Sequence, residues 1–118
     1  MLNLNTVMVS TKQPKALAAF YEKVLGKPAD RVDTDNGFFR WQTGSATLLV
    51  LDHSKMDGQT KDPGRVMFNF ETTQVKEEFE RIKAVGGKVI QEPYQIAGGW
   101  IATFADPDGN YFQLLSPM

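Results

Sequence analysis

Residues 104–118 read FADPDGNYFQLLSPM, a tight turn set directly ahead of a short apolar run. Pro107 presets φ for the first corner of a turn, and Gly109 can take the positive φ that a later corner needs. Asp106 or Asn110 can bond back to nearby backbone amides. Tyr111, Phe112, Leu114 and Leu115 then read as a strand after a hairpin turn. Within that strand Gln113 is the residue whose chemistry the rest of the chain must decide.

Upstream of this stretch, KVIQEPY (88–94) and GWIATFAD (99–106) read as two more strands, with a turn at Gly98-Gly99. Before them, Val75, Phe79 and Ile82 mark one face of a helix that Gly86-Gly87 stops, and RVMFNFE (65–71) precedes it as a strand. Lys76–Glu80 and Glu77–Arg81 are spaced as i,i+4 pairs on its wet side. The first half runs through the same order. NTVMVS gives a strand at about 4–10, and Pro14 suits a first helical position. Leu17, Phe20, Tyr21, Val24 and Leu25 share one helical face, ended by Gly26 and Pro28. ADRVDT, GFFRWQ and ATLLVLD follow as strands, with turns at Asp35-Asn36-Gly37 and Thr43-Gly44-Ser45.

The order βαβββ therefore occurs twice, with Gly26 and Gly86 separated by about half the chain. The fold class that follows is α+β: two βαβββ modules, about 1–52 and about 65–118, packing as a single domain over 1–118. Each mixed sheet should rest on a helix, one carrying Phe20 and the other Phe79. Residues 53–64, HSKMDGQTKDPG, are polar and rich in turn formers, and read as a linker or lid.

Bulk properties exclude several functions. With 13 Lys and Arg scattered against 14 Asp and Glu, the net charge of −1 removes the electrostatic case for nucleic acid or an anionic membrane. There is no cysteine, so disulfides, thiol nucleophiles and thiolate-held metals are excluded. The opening MLNLNTVMVS lacks the basic start and apolar core of a secretory leader, and no run approaches a membrane span. A cytoplasmic protein is expected. Asp106, Asp108 and Asn110 begin like a calcium loop, but Tyr111 and Pro117 stand where such a loop needs Gly and Glu.

LNTVMVS (4–10) with ALAAFYEKVLGK (16–27), EFERIKAVGGKVIQEP (78–93) and FADPDGNYFQLL (104–115) together resemble the vicinal oxygen chelate superfamily, which holds glyoxalase I, bleomycin-resistance proteins, fosfomycin-resistance enzymes and extradiol dioxygenases. The resemblance covers nearly the whole chain. It implies an open, curled mixed β-sheet around a cleft. It also implies a ligand position on the first and last strand of each module, filled in metal-using members by His, Glu or Gln. Here the family's opening LNHVML reads LNTVMV, so Thr6 stands at the His position. Leu48, counted from Gly44, stands at the next, and Arg65 or Met67 at the third. Gln113 alone offers a plausible donor. The resemblance thus implies a member without metal or other cofactor.

The function expected is binding of a small, partly aromatic molecule in that cleft. Its walls would be Thr6, Met8, Trp41, Leu48, Met67, Trp100 and Gln113, with the single histidine, His53, at the rim. The alternative is an enzyme: a metal-dependent lyase or dioxygenase with ligands elsewhere, or a metal-free acid–base catalyst using His53. Uncovered strand edges and apolar sheet surface add the expectation of a homodimer.

Overall fold

The computed structural model describes residues 1–53 and 55–117. It falls into two units, Met1–Gly58 and Gln59–Met118, each built as βαβββ. The first holds β1 (Thr6–Thr11), α1 (Pro14–Leu25), β2 (Arg31–Asp33), β3 (Phe38–Thr43) and β4 (Ala46–Asp52). The second holds β5 (Phe68–Glu71), α2 (Val75–Ala84), β6 (Lys88–Ile96), β7 (Gly99–Ala105) and β8 (Tyr111–Leu115). Their sheets run β1-β4-β3-β2 and β5-β8-β7-β6, with the first and last strands of each module parallel and the remaining pairs antiparallel. The expected α+β fold of two mixed-sheet modules is the fold observed.

The repetition extends to single hydrogen bonds. Thr11 Oγ1 accepts the backbone N–H of Gln13 just before α1, and Thr72 Oγ1 accepts that of Gln74 just before α2, both at 3.0 Å. This hydroxyl turn takes the chain out of the strand and into the helix. It also fixes the correspondence between modules: Thr11 matches Thr72, so Thr6 matches Met67.

In the first unit, α1 buries Leu17, Ala18, Phe20, Tyr21 and Val24. The sheet face beneath it carries Val9, Thr11, Trp41, Leu48 and Val50, all buried. Each large apolar side chain removed from water this way contributes about 1.5–3 kcal/mol. Gly26 ends the helix in the left-handed region at φ 74°, its N–H reaching Glu22 O at 2.9 Å.

In the second unit the core is aromatic. Phe79 of α2 stacks on Phe104 of β7 at 5.1 Å between ring centres, and Phe104 stacks on Phe112 of β8 at 5.7 Å. Phe68 and Phe70 close the cluster from β5. The exposed side of α2 departs from its i,i+4 spacing. Arg81 reaches Glu78, an i,i+3 partner, at 2.7 Å, and Lys76 Nζ lies 3.8 Å from the Trp100 ring centre instead of pairing with Glu80.

The turn between β7 and β8 is held by its own side chains. Asp106 Oδ1 accepts the backbone N–H groups of Asp108 at 2.9 Å and Asn110 at 3.0 Å, while the Asn110 amide donates to the same carboxylate. The preceding loop fastens onto it: Gln59 Nε2 donates to Pro107 O, Thr60 N to Asp108 O, and Thr60 Oγ1 to Asn110 Oδ1. The strand expected from Arg65 begins only at Phe68, because its partner β8 starts at Tyr111 and leaves earlier residues without a ladder. Ala97 and Gly98, at φ 47° and 82°, form the β6–β7 hairpin turn, so this glycine serves a turn as expected. Among the described residues no helix is long and apolar enough to cross a membrane.

Candidate functional site

Residues that pair across strands share a face, so register decides which side chains α1 or α2 covers and which stay open. In the first unit one row runs Val7, Leu48, Trp41, and the next on that side runs Val9, Val50, Phe39, Val32. Leu48, Trp41, Val9 and Val50 are buried there, which marks it as the α1 side. The opposite side carries Thr6, Thr47 and Gln42 in one row, Met8, Leu49, Arg40 and Arg31 in the next, and Ser10, Leu51, Phe38 and Asp33 in the third.

Trp41 and Leu48 therefore belong to the core and not to an open wall. Trp41 is 1% exposed, and its indole N–H donates to Lys27 O at 3.1 Å. The expectation failed for a register reason. Counting from Gly44 gives Leu48 the position of Gln113, but Leu48 lies opposite Val7 on the α1 side. The match of Thr11 to Thr72 carries Met8 onto Asn69, and their partners are Leu49 and Gln113. Leu49 is thus the open-face counterpart of Gln113.

In the second unit Trp100 alternates with Ala102 and Phe104 on the α2 side, under Lys76, and its backbone N–H donates to Ser116 Oγ at 2.8 Å. It too leaves the set of open-face residues. The side away from α2 carries Asn69 beside Gln113, then Thr103, and Ile101 beside Leu115; Thr103 and Ile101 are buried there, Gln113 and Leu115 are partly exposed, and Asn69 is exposed. Gln113 Nε2 donates to Thr103 Oγ1 at 2.9 Å, which orients the amide and turns its carbonyl oxygen away from that contact. Tyr94 joins this face opposite Ile101. Simple alternation from Gln91 would place Tyr94 on the other side, but register shifts between Val89 and Tyr94 in β6, which contains Pro93, reverse it. Met67 stands half-exposed immediately before β5. Arg65, the other residue considered for its position, pairs with Asp62 at 3.6 Å.

Of the eight residues named from sequence, Thr6 and Met8 share the open face of the first sheet, Gln113 occupies that of the second, and Met67 adjoins β5. His53 lies at the far end of β4 from Thr6. Its N–H donates to Thr11 O at 2.9 Å and its Nδ1 accepts the Lys55 N–H at 3.2 Å, so the ring starts the loop that follows. Thr103 was missed although strand alternation could have found it, whereas Leu49 needed the pairing of β4 with β1. Tyr94 was hidden by the bulge.

A separate hollow of about 460 Å³ opens at the start of α1, among Gln13, Pro14, Thr34, Asp35, Gly37 and Asp52. None of the eight residues lines it. Asp33, which precedes Thr34 of its lining in sequence, has its carboxyl held below the ordinary carboxylate range by the Asn36 side-chain amide, which donates to it at 2.7 Å.

A divalent metal, which the resemblance raises, does not fit the donors at its four positions. Thr6 offers a hydroxyl already given to Asn5 Oδ1 at 2.7 Å, Leu49 offers no donor, Met67 a thioether and Gln113 one neutral oxygen. Catalytic zinc usually takes three nitrogen, oxygen or thiolate ligands. Among the described residues no group of three His, Cys, Asp or Glu converges.

The sequence pattern of the glyoxalase-like domain matches residues 6–115. No curated protein matches the chain. Among solved structures, a glyoxalase-related enzyme from Fulvimarina pelagi is 19% identical, with 99% of this chain and 89% of that chain covered and a TM-score of 0.80. A lactoylglutathione lyase from Agrobacterium tumefaciens is 20% identical over 97% of this chain and 92% of that one, at 0.74. A glyoxalase/bleomycin resistance protein/dioxygenase family enzyme from Burkholderia phytofirmans PsJN is 21% identical over 99% and 100%, at 0.76. At these identities the likeness establishes the shared fold. With the glyoxalase-like pattern matched along both modules, the chain belongs to the glyoxalase-like domain family of the vicinal oxygen chelate superfamily.

Proposed function

We propose that this chain binds a small, partly aromatic molecule without a metal or other cofactor, on the open faces of its sheets. The observation that carries the reading is the Gln113–Thr103 pair. An amide oriented by a neighbouring hydroxyl, with its carbonyl oxygen left to accept, sits on a face whose other residues include Tyr94, Ile101 and Met67. A few fixed polar groups among apolar and aromatic walls are what small-molecule sites use to set orientation. The hydroxyl, thioether and amide at the metal positions suit hydrogen bonding and packing better than Lewis-acid chemistry.

Acid–base catalysis by His53 draws no support from the geometry. Its Nδ1 is engaged by Lys55 N, and it stands at the opposite end of the strands from Thr6. The reading includes residues 1–118 acting as one cytoplasmic domain and assembling as a homodimer. Sedimentation showing a monomer at micromolar concentration would remove the dimer. Ligand-observed NMR against neutral aromatic amides tests the binding itself. Hits should weaken about tenfold in Gln113→Leu, as expected when a polar contact of about 1.4 kcal/mol is lost. Equal binding by Gln113→Leu would refute the assignment.

A further inference from the structure

We infer that the open face of the first sheet takes the carboxylate of an aromatic or otherwise apolar acid, held between Arg31 and Arg40. The inference rests on the reading of the open faces as small-molecule sites and names the chemical class of the ligand. Arg31 and Arg40 are direct cross-strand partners on β2 and β3, so their side chains leave the same side of the sheet as neighbours. Both are exposed, and among the described residues neither guanidinium has a salt bridge or hydrogen bond. Like charges placed directly opposite destabilise a strand pair, and that cost is relieved when an anion joins them.

The protein does not supply that anion. Asp30 beside Arg31 accepts the Gln42 N–H at 2.6 Å and lies 3.8 Å from Lys27 Nζ. Asp33 is tied to Asn36 through both its side-chain amide and its backbone N–H. The two arginines thus stand as an unneutralised pair in a chain whose net charge is −1.

What continues their row selects the rest of the ligand. Leu49 lies directly beside Arg40, and Met8 beside Leu49, with Met8 56% exposed. Leu51 and Phe38 form the adjoining row on the same side, which ends at Asp33, whose carboxylate is taken by Asn36. A planar guanidinium matches a carboxylate through two parallel N–H donors, and an apolar body attached to that carboxylate would lie over Leu49 and Met8. A bare inorganic anion would use only half of this surface.

Binding of 1-naphthoate and 1-naphthamide to the whole chain, followed by two-dimensional NMR, tests the assignment, because the two probes share a ring system and differ in charge. Naphthoate should bind about tenfold tighter than naphthamide, move the Met8 and Leu49 resonances, and weaken as salt rises. Arg31→Gln and Arg40→Gln should each remove that preference while leaving naphthamide within about twofold of its original affinity. Equal binding of both probes would overturn the carboxylate site and leave the open-face reading standing. Binding of neither would overturn both. The urea midpoint of each variant is a second readout: relieving like-charge repulsion should leave it unchanged or raise it, and a marked fall would show a structural guanidinium instead.

Discussion

Trp41→Ala separates a core tryptophan from a ligand-wall tryptophan. Trp41 is 1% exposed, lies beside Leu48 under α1, and donates its indole N–H to Lys27 O. Large aromatic side chains bury about 150–250 Å² each, which at about 25 cal/mol per Å² sets an upper figure of about 6 kcal/mol. Collapse around the cavity lowers this, and measured Trp→Ala losses in cores run about 3–5 kcal/mol. For a domain of ordinary stability, about 5–15 kcal/mol, the loss is a large fraction of the whole. Trp41→Phe keeps most of the ring packing and removes the N–H donor, so it should cost about 1–2 kcal/mol. Urea unfolding followed by far-ultraviolet circular dichroism measures both. A loss under about 1 kcal/mol for Trp41→Ala, accompanied by lost ligand binding, would put Trp41 back among the walls and refute the register argument.

Three further outcomes follow from the geometry. Asp106→Ala removes the carboxylate that accepts the N–H groups of Asp108 and Asn110, and should cost about 2 kcal/mol or more in the same assay, with Asp106→Asn in between. Asn36→Ala should raise the Asp33 pKa toward its ordinary value in an NMR titration; because the folded-state value is lowered, the Asp33 contribution to stability is present above the unfolded pKa of 3.8 and lost as pH falls through the folded one. Calorimetry with zinc, nickel or manganese should show no stoichiometric binding tighter than micromolar, whereas such binding would mean that donors other than Thr6, Leu49, Met67 and Gln113 assemble a site.

The fold was legible because its signals are local. Pro14 and Gly26 bracket α1, Val75, Phe79 and Ile82 mark the buried side of α2, and the 104–118 stretch shows its turn and strand directly. The open faces were less legible because they depend on pairing. Leu48 and Leu49 are indistinguishable to alternation until β1 fixes the register, and a one-residue slip exchanges core for surface. Trp100 was misjudged for a related reason, since its face was set by α2 and Lys76 beyond its own strand. Tyr94 lay behind the register shift in β6, which alternation cannot count across. The Arg31–Arg40 pair is separated by a turn in sequence and becomes adjacent only through β2–β3 pairing.

The proposed binding of an aromatic molecule needs an oriented amide on a sheet face and no metal. Two-dimensional NMR of chelator-treated protein titrated with 1-naphthamide tests it most directly. Saturable shifts of the Gln113 side-chain amide and of Thr103 and Tyr94 are expected, with the Trp41 indole N–H unmoved. Binding that vanishes on chelation and returns with added zinc, or shifts centred on Trp41 while Gln113 stays silent, would contradict it.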